Sequence, residues 1–265
     1  MPSPEFIAIT DVLGKMPPIT LEEMDAVKLM NRIDSKYVLN EACLQKMLEA
    51  AFAAGYRVLE SEGGRISPYD SIYYDTEELT MFYLHHNRRL VRQKVRTRSY
   101  VNSGDTFLEI KRKNNHGRTS KKRMAIPTDK LGDFTAVPEA CEYLARHSWF
   151  QASQLSPAAE TAFSRITLVN PALTERLTID TRLVFRNFRT GADTTLQDAV
   201  IVELKQDGRA ASQMKGILLV LRVHPLRVSI YCMAVTLTDP QAKTGRFKVK
   251  VRAIEKIIGK KLKTI

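Results

Sequence analysis

A run of cationic residues at every second position constrains this chain more than any other feature of its sequence. The run consists of Arg92, Lys94, Arg96 and Arg98. Side chains two residues apart on a β-strand project from the same face of that strand. The intervening positions include Val91 and Val95, which can pack against a core. The pattern therefore predicts a strand with one strongly cationic face and one apolar face.

The same alternation recurs on strands that we predict further along the chain. Their polar faces carry Glu109, Lys111 and Lys113, then Lys121 and Arg123, then Arg165, then Arg176 with Asp180, and then Glu203 with Lys205. Side by side, these strands form a sheet face with about ten cations, and like charges opposite one another destabilise strand pairing. A multiply charged anion bound on this face removes the repulsion. Phosphate chains suit it best, because arginine offers a planar fork of donors and lysine a compact charge.

Two carboxylates interrupt the cationic face and leave two interpretations open. Glu203 and Glu109 suit a divalent metal, since Mg²⁺ commonly binds one or two carboxylates together with substrate phosphates. Taken singly, each is better explained as the salt-bridge partner of a neighbouring cation. For the run at 92–98 alone, a solvated strand is an equally good interpretation, but repetition on five or more strands argues against it.

The charge of the chain is concentrated in two segments. The 265 residues include 41 Lys+Arg and 29 Asp+Glu, a formal net charge of +12. Residues 85–123 carry a net +11 and residues 243–263 a net +8, so the remainder is mildly acidic. Such segments indicate a polyanionic partner. Nucleic acid is disfavoured as that partner, because the basic strands lack the interleaved aromatic residues that stack bases.

Composition and the N-terminal segment argue against a secreted, disulfide-bonded or membrane-spanning protein. Hydrophobic residues make up 44% and charged residues 26%, as in an ordinary globular protein. Cys43, Cys141 and Cys232 form no C-x-x-C pair and predict reduced thiols in a cytoplasmic protein. The first ten residues do not resemble a secretory signal, and no apolar run is long enough to cross a bilayer.

The order of predicted elements favours an α+β fold, an antiparallel β-barrel with helices packed outside it. A capping box formed by Thr20 and Glu23 and an N-cap at Asn40 begin two helices, the second over 41–54. Further helices are predicted over 137–149 and 211–220. Strands are predicted over 32–39, 57–61, 70–75, 89–101, 106–113, 119–127, 161–169, 176–186, 200–205 and 228–237. Many strands without βαβ alternation indicate an antiparallel sheet, and no linker divides residues 1–265, so we expect a single domain.

Several short motifs, taken in order, resemble the polyphosphate polymerase domain of the vacuolar transporter chaperone (VTC) family, part of the triphosphate tunnel metalloenzyme superfamily. The resemblance covers residues 28–238. Its motifs are Arg32-Ile-Asp-Ser-Lys-Tyr37, Ile72-Tyr-Tyr-Asp-Thr76, Lys94-Val-Arg-Thr-Arg-Ser-Tyr100, Phe107-Leu-Glu-Ile-Lys-Arg-Lys113, Lys121-Lys-Arg123, Arg176-Leu-Thr-Ile-Asp180 and Val202-Glu-Leu-Lys205.

This resemblance implies a tunnel that binds ATP and inorganic polyphosphate. It implies transfer of the γ-phosphate of ATP to a growing polyphosphate chain, with release of ADP and assistance from Mn²⁺ or Mg²⁺. The phosphate ligands expected at the reacting centre are Lys36, Arg96, Arg98, Lys111, Lys121, Arg165 and Arg176. Further substrate contacts are expected at Arg92, Lys94, Lys113, Arg123, Lys205, Arg227 and Ser229. Glu203, with Glu109, is the expected metal site. A triphosphatase or polyphosphate hydrolase of the same fold, and a non-catalytic polyphosphate-binding module, stay open as alternatives.

The chain departs from the family pattern at Ile230. The family typically shows a Ser-Lys-Tyr-like motif here, preceded by a basic residue. Arg227, Ser229 and Tyr231 match this motif, but Ile230 stands in place of the lysine. The loss of one tunnel cation is expected to weaken binding of nucleotide or product, unless Arg227 compensates.

The last segment, residues 243–265, is basic and amphipathic, and it predicts a terminal helix or tail. An anionic membrane surface, a partner protein and polyphosphate itself all suit such a segment. The cytoplasm is the expected location, with membrane association through this tail as the alternative. His85, His86 and His116 lack zinc-site spacing and are expected in loops near the cationic region.

Overall fold

The strands of the protein join in one large sheet. The computed structural model describes residues 4–25, 32–208 and 210–262, so residues 28–31 of the predicted tunnel domain and 263–265 of the predicted tail lie outside it. The strands are β1 (Pro18–Ile19), β2 (Arg32–Asn40), β3 (Arg57–Leu59), β4 (Ser67–Asp75), β5 (Arg92–Tyr100), β6 (Asp105–Lys113), β7 (Thr119–Ile126), β8 (Ser156–Val169), β9 (Glu175–Asn187), β10 (Asp193–Leu196) and β11 (Ala199–Asp207). The main path runs β2-β11-β9-β8-β4-β5-β6-β7, and every neighbouring pair along it is antiparallel.

The helices of the described residues cover both faces of this sheet. They are α1 (Pro4–Lys15), α2 (Leu21–Asp25), α3 (Glu41–Ala53), α4 (Thr80–His86), α5 (Pro138–His147), α6 (Gln213–Val220), α7 (Ile230–Thr238) and α8 (Lys248–Ile258). The α+β fold with a large antiparallel sheet is therefore confirmed. None of these helices is long and apolar enough to cross a membrane.

The convex face of the sheet is covered by two groups of helices. Helices α1, α3 and α6 share a core with β2, β11, β9 and β8, and α5 shares another with β5 and β6. Leu44, Met47 and Leu48 of α3 are completely buried, as their helical spacing predicts. Burial of one such side chain stabilises the fold by about 1.5–3 kcal/mol. These helices hold the strands in place from outside. The charged residues lie on the other face of the sheet.

Helix α7 lies on the concave face, and the strand predicted over 228–237 is wrong. All residues of α7 after Ile230 are buried, against Val38 of β2, Phe185 of β9 and Ile201 of β11. An unbroken apolar run has no period that separates a buried strand from a buried helix. The side chain of Ser229 accepts a hydrogen bond from the backbone N–H of Cys232, and this N-cap favours the helix.

Local signals near the N-terminus are confirmed. The backbone N–H of Thr20 donates to the Glu23 carboxylate at 2.9 Å, and the Glu23 N–H donates to Thr20 Oγ1 at 3.2 Å, which is the predicted capping box. Asn40 accepts from the Cys43 N–H at 2.9 Å and caps α3. Helices α1 and α4 were not predicted, and α4 places His85 and His86 on a helix instead of a loop.

Candidate polyanion-binding site

Three lysines face one another across neighbouring strands on the concave face. Lys94 of β5 pairs with Lys111 of β6, and Lys111 pairs with Lys121 of β7. We call these residues the lysine row. Adjacent strands lie about 4.8 Å apart, so the charges repel one another and oppose strand pairing. Arg92 lies opposite Lys113 at the end of the same two strands and extends the repulsion.

Glu109 is the carboxylate that relieves part of this repulsion. Its Oε2 accepts hydrogen bonds from Arg96 Nη2 at 2.6 Å and Arg96 Nε at 2.8 Å, and its Oε1 forms an ion pair with Lys121. Burial raises the pKa of Glu109, but Arg96 and Lys121 outweigh it and bring the pKa to about 2. The carboxylate is therefore ionised at neutral pH and positions both cations. This geometry favours the salt-bridge interpretation, and metal binding by Glu109 stays a prediction.

Tyr73 of β4 extends the network of Arg96. The Tyr73 hydroxyl accepts a hydrogen bond from Arg96 Nη1 at 2.9 Å. Burial disfavours its ionised form, but the positive charges of Arg96, Arg98 and Lys94 outweigh burial and lower the Tyr73 pKa to about 8. The concave face thus carries a field that stabilises negative charge even on a phenol.

Arg98 is the most deeply buried cation of the run at 92–98. It is only 4% exposed, and its Nε donates to Ser71 Oγ at 2.8 Å. Its guanidinium lies 5.3 Å from the Phe163 ring centre. Burial, together with Arg96 and Arg165, lowers its pKa to about 10. Arg98 therefore stays charged at neutral pH with most of its donors away from water, a strong arrangement for binding an anion.

The second wall of the concave face is formed by β8, β9, β11 and β2. Arg165 binds Asp180 through two hydrogen bonds, of 2.6 and 2.8 Å, which fix its guanidinium. Arg176 lies opposite Lys205, another pair of like charges. Burial, together with Arg176 and Arg165, outweighs the Glu203 carboxylate and lowers the Lys205 pKa to about 8.

Glu203 is the second carboxylate of the face, and its surroundings differ from those of Glu109. It lies opposite Lys36 of β2, and Lys205 Nζ is 4.0 Å from its Oε2. Burial raises its pKa, but Lys36, Lys205 and other nearby cations lower it to about 2. Within the described residues it accepts no close hydrogen bond, so its oxygens stay available to a ligand.

The residues present fit a metal ion that is shared with phosphate oxygens. No group of three or more His, Cys, Asp or Glu residues that could hold a metal by itself occurs in the part of the chain that the structure describes. A single ionised carboxylate suits Mg²⁺ or Mn²⁺ when the substrate supplies the other ligands. Glu203 is the residue that would hold such an ion.

The two walls belong to one sheet whose end strands, β2 and β7, do not pair with each other within the described residues, so the charged face lines an open, tunnel-like channel. Lys111 belongs to β6, but charges on other strands act on it. Burial lowers its pKa most, the carboxylate of Glu203 on β11 raises it, and the positive charge of Lys36 on β2 lowers it. The charges of β11 and β2 therefore act on Lys111 across the charged face, although these strands are distant from β6 in the order of the sheet. The face predicted to be cationic is therefore the inside of a tunnel-like channel.

Residues 222–229, which we call the strap, bridge the gap between the two walls. The Leu226 N–H donates to the Lys36 carbonyl at 2.7 Å, and Pro225 forms an isolated β-bridge with Tyr37. At its other end, Ser229 accepts a hydrogen bond from Lys94 Nζ at 2.7 Å. The strap therefore connects β2 to β5 where no strand ladder joins them.

Most of the predicted site residues line this channel, and two lie at its edges. Arg123 is exposed and stacks 4.7 Å from the centre of the Phe107 ring. Arg227 is exposed on the strap. The channel and its immediate surroundings bring together Lys36, Arg92, Lys94, Arg96, Arg98, Lys111, Lys113, Lys121, Arg165, Arg176, Lys205, Glu109, Glu203 and Ser229.

Sequence reasoning missed the residues that support these cations. Ser71 and Tyr73 lie two positions apart on β4 and face Arg98 and Arg96, so alternation across that strand was the signal that could have found them. Asp75, at the end of β4, accepts hydrogen bonds from two backbone N–H groups of α4, at 2.8 and 2.9 Å, and from the Tyr231 hydroxyl at 2.6 Å. Asp75 thereby joins α4 and α7 to the sheet.

The fold, an antiparallel sheet with arginines and lysines along one face, occurs in another solved structure. A Hippeastrum protein classed as a candidate adenylyl cyclase, and described as having a dominant triphosphatase activity, has this fold. It superposes with a TM-score of 0.52 at 12% identity, over 76% of this chain and 94% of its own. A candidate adenylate cyclase from Bacillus halodurans gives a TM-score of 0.49 at 13% identity, over 83% of this chain and 100% of its own.

The sequence itself identifies the family. The model of the VTC domain matches residues 31–238, most of the chain, and the protein belongs to the VTC domain family. Comparison with curated proteins finds no match. The predicted boundaries of the tunnel domain, 28–238, differ from the matched span by three residues at the N-terminal end.

Proposed function

We propose that this protein is a metal-dependent polyphosphate polymerase that transfers the γ-phosphate of ATP to the end of an inorganic polyphosphate chain and releases ADP. The observation that carries the proposal is the lysine row together with Arg96 and Arg98 on one face of the tunnel-like channel, where Arg98 is buried. Three lysines held in register across three strands match a linear polyanion better than they match a compact one.

In the proposed reaction, a terminal oxygen of the chain attacks the γ-phosphorus while the bond to the β-phosphate bridging oxygen breaks. Phosphoryl transfer of this kind depends mainly on positioning and on charge stabilisation. Arg96, fixed by Glu109, and Arg165, fixed by Asp180, supply preorganised donors to phosphate oxygens. The lysine row supplies further positive charge along the chain. A bound Mg²⁺ or Mn²⁺ would neutralise developing charge on the phosphate oxygens, and Glu203 would hold it.

A hydrolase of the same fold is the second candidate. The observation in its favour is the shared fold of the Hippeastrum protein with its described triphosphatase activity. The two reactions differ in the acceptor, which is water in the hydrolase and a phosphate chain in the polymerase.

Incubation of the purified protein with ATP and Mn²⁺ or Mg²⁺, followed by gel separation and staining for polyphosphate, tests the proposal. We expect long chains and ADP. Orthophosphate without chains would overturn the polymerase in favour of the hydrolase, and absence of any turnover would leave a binding module. In the same assay, E203Q is expected to lower the rate by about a hundredfold or more.

The control for E203Q is E142Q, since the Glu142 side chain is 67% exposed on α5 and pairs with Arg146. It should keep the wild-type rate. Metal-free binding of tripolyphosphate separates loss of metal from loss of fold: E203Q should bind at least as tightly as wild type, because a negative charge has been removed from the channel. Wild-type turnover in E203Q would remove Glu203 from the site.

A further inference from the structure

Three cations that belong to no strand gather at one end of the channel. Arg88 follows α4, Arg227 belongs to the strap, and Lys250 belongs to α8. Lys250 lies beyond residues 31–238, so the match to the VTC domain does not include it. Two hydrogen bonds place this end at the beginning of β5: Lys94 Nζ donates to Ser229, two residues after Arg227, at 2.7 Å, and Arg92 Nη1 donates to the carbonyl of Arg89, the residue after Arg88, at 2.6 Å.

Helix α8 is fixed in place by the sheet and by α4. Val251 and Ile254 are buried in the core that covers part of the concave face. The ring of Phe247 lies 5.3 Å from that of His86 and 6.3 Å from that of His85, centre to centre. Lys250 Nζ lies 5.6 Å from the centre of the same Phe247 ring. The ammonium of Lys250 is therefore held beside α4, at the end of the channel, and does not extend into solvent as part of a free tail.

The cations at this end influence one another directly. The pKa of Lys250 is lowered by burial, raised by the Cys232 thiol and lowered by Arg88 and Arg227. Arg227 also acts on Lys113 of β6, whose pKa is lowered first by burial. The same charges therefore surround the end of the channel from β6, the strap and α8.

His85 of α4 provides a second observation at this end of the channel. Its Nδ1 is buried and has no hydrogen-bond partner within the described residues. Burial, with the charges of Lys94 and Arg92, lowers the His85 pKa to about 2, so the imidazole is neutral. In the tautomer that carries its proton on Nδ1, the ring can donate a hydrogen bond to a phosphate oxygen, which would satisfy this buried nitrogen.

We propose that Lys250, with Arg88 and Arg227, forms a helix-lined subsite that binds the phosphate groups of a chain beyond those held by the strands. The subsite would make the protein prefer long polyphosphate over a triphosphate. This inference rests on the proposed function, since it assumes that the channel binds a phosphate chain. We expect a short chain to occupy the lysine row alone and a longer chain to reach both the row and Lys250.

Equilibrium binding of tripolyphosphate and of long-chain polyphosphate, without metal, tests the subsite. K250A is expected to weaken long-chain binding by about tenfold, the size of one lost charge-assisted contact. Its affinity for tripolyphosphate should change by less than about twofold. The matched control is K256A, because Lys256 is exposed on the same helix. K250R should restore long-chain affinity, which a merely structural effect on α8 would not explain.

Two results would overturn the subsite. One is equal long-chain affinity in K250A and K256A, and the other is an equal loss for both ligands in K250A. In either case wild-type binding of both ligands would leave the proposed function standing. If wild-type protein bound neither ligand, the proposed function and the subsite would fall together.

Discussion

The pKa of Tyr73 reports, at a single residue, how strongly the cations of the channel stabilise negative charge. Its pKa of about 8 lies below the ordinary value of 10 because the effects of Arg96, Arg98 and Lys94 exceed that of burial. A group whose pKa is lowered by folding stabilises the folded state fully above its unfolded pKa, and this contribution is lost as the pH falls through the folded pKa. Ionisation of Tyr73 therefore stabilises the empty protein as the pH rises from 8 toward 10.

A polyanion in the channel should move this pKa upward. Bound tripolyphosphate neutralises the cations that stabilise the phenolate, so we expect the Tyr73 pKa to return toward 10 and the complex to take up a proton at pH near 9. Absorbance of tyrosinate, titrated with and without ligand, measures the shift. Y73F should lack the low-pKa step altogether. A step near pH 8 that tripolyphosphate leaves unmoved would contradict this account of the field.

At the scale of elements, the buried carboxylate of Asp75, at the end of β4, holds helices α4 and α7 in place. Asp75 accepts from the N–H groups of Thr76, Met81 and Phe82 and from the Tyr231 hydroxyl. The N-cap residue of α4 is Leu79, with φ of 56°, and its side chain cannot accept a hydrogen bond from the helix. Asp75 satisfies the N–H groups at its start, as an N-cap residue would, and it also holds α7.

Removal of the Asp75 carboxylate should therefore destabilise the protein strongly. D75A leaves several buried donors without an acceptor and is expected to lower the free energy of unfolding by about 3 kcal/mol or more. Y231F removes one donor and should cost about 1–2 kcal/mol. D129A is the control, since the Asp129 side chain is 71% exposed. Urea unfolding measures all three, and similar midpoints for D75A and D129A would exclude the anchoring role.

At the scale of the molecule, the strands and the strap that surround the channel are connected by contacts of different strength. Val202 of β11 is paired on both sides, with Tyr37 of β2 and with Ile179 of β9. The strap, in contrast, contacts β2 through the Leu226 N–H and reaches Lys94 through Ser229. Local openings concentrate where few contacts must break.

The strap should therefore open without the rest of the sheet. We expect the Leu226 amide to exchange with solvent at least about a hundredfold faster than the Val202 amide, as in other locally opening segments. Tripolyphosphate should slow exchange at Leu226 and leave Val202 unchanged, because ligand binding joins both walls. Hydrogen exchange followed at these amides provides the measurement. Equal protection at both positions would show that the strap opens only with the whole domain.

Much of this architecture could be predicted from local patterns. The alternation in residues 92–98 and the N-cap at Asn40 can both be recognised in the sequence, because each depends on residues that are close together in the chain. The tunnel itself was expected from the resemblance to a known family. The ion pairs of Glu109 depend on the register between β5, β6 and β7, and no local pattern determines register.

Other parts could not be predicted, for reasons that the structure explains. The side chains that accept from the first N–H groups of α4, those of Asp75 and Thr76, lie four to seven residues before their donors, so the usual N-cap pattern does not mark the start of this helix. Helix α7 is buried on all sides and lacks a polar face, which removes the period that identifies helices. The position of Lys250 beside the channel depends on the packing of Phe247 against α4, a contact across 160 residues of chain.

The lysine row has a consequence for attempts to engineer this protein. Repulsion between Lys94, Lys111 and Lys121 is present in the empty chain and would be relieved by a bound polyanion, so part of the affinity for a polyanion would come from that relief. A substitution that neutralises one of these lysines removes the repulsion and the binding contact together. At these positions, a substitution that raises the heat resistance of the empty protein is therefore expected to lower its affinity for a polyanion. Laboratory selection for heat resistance alone would alter the lysine row early.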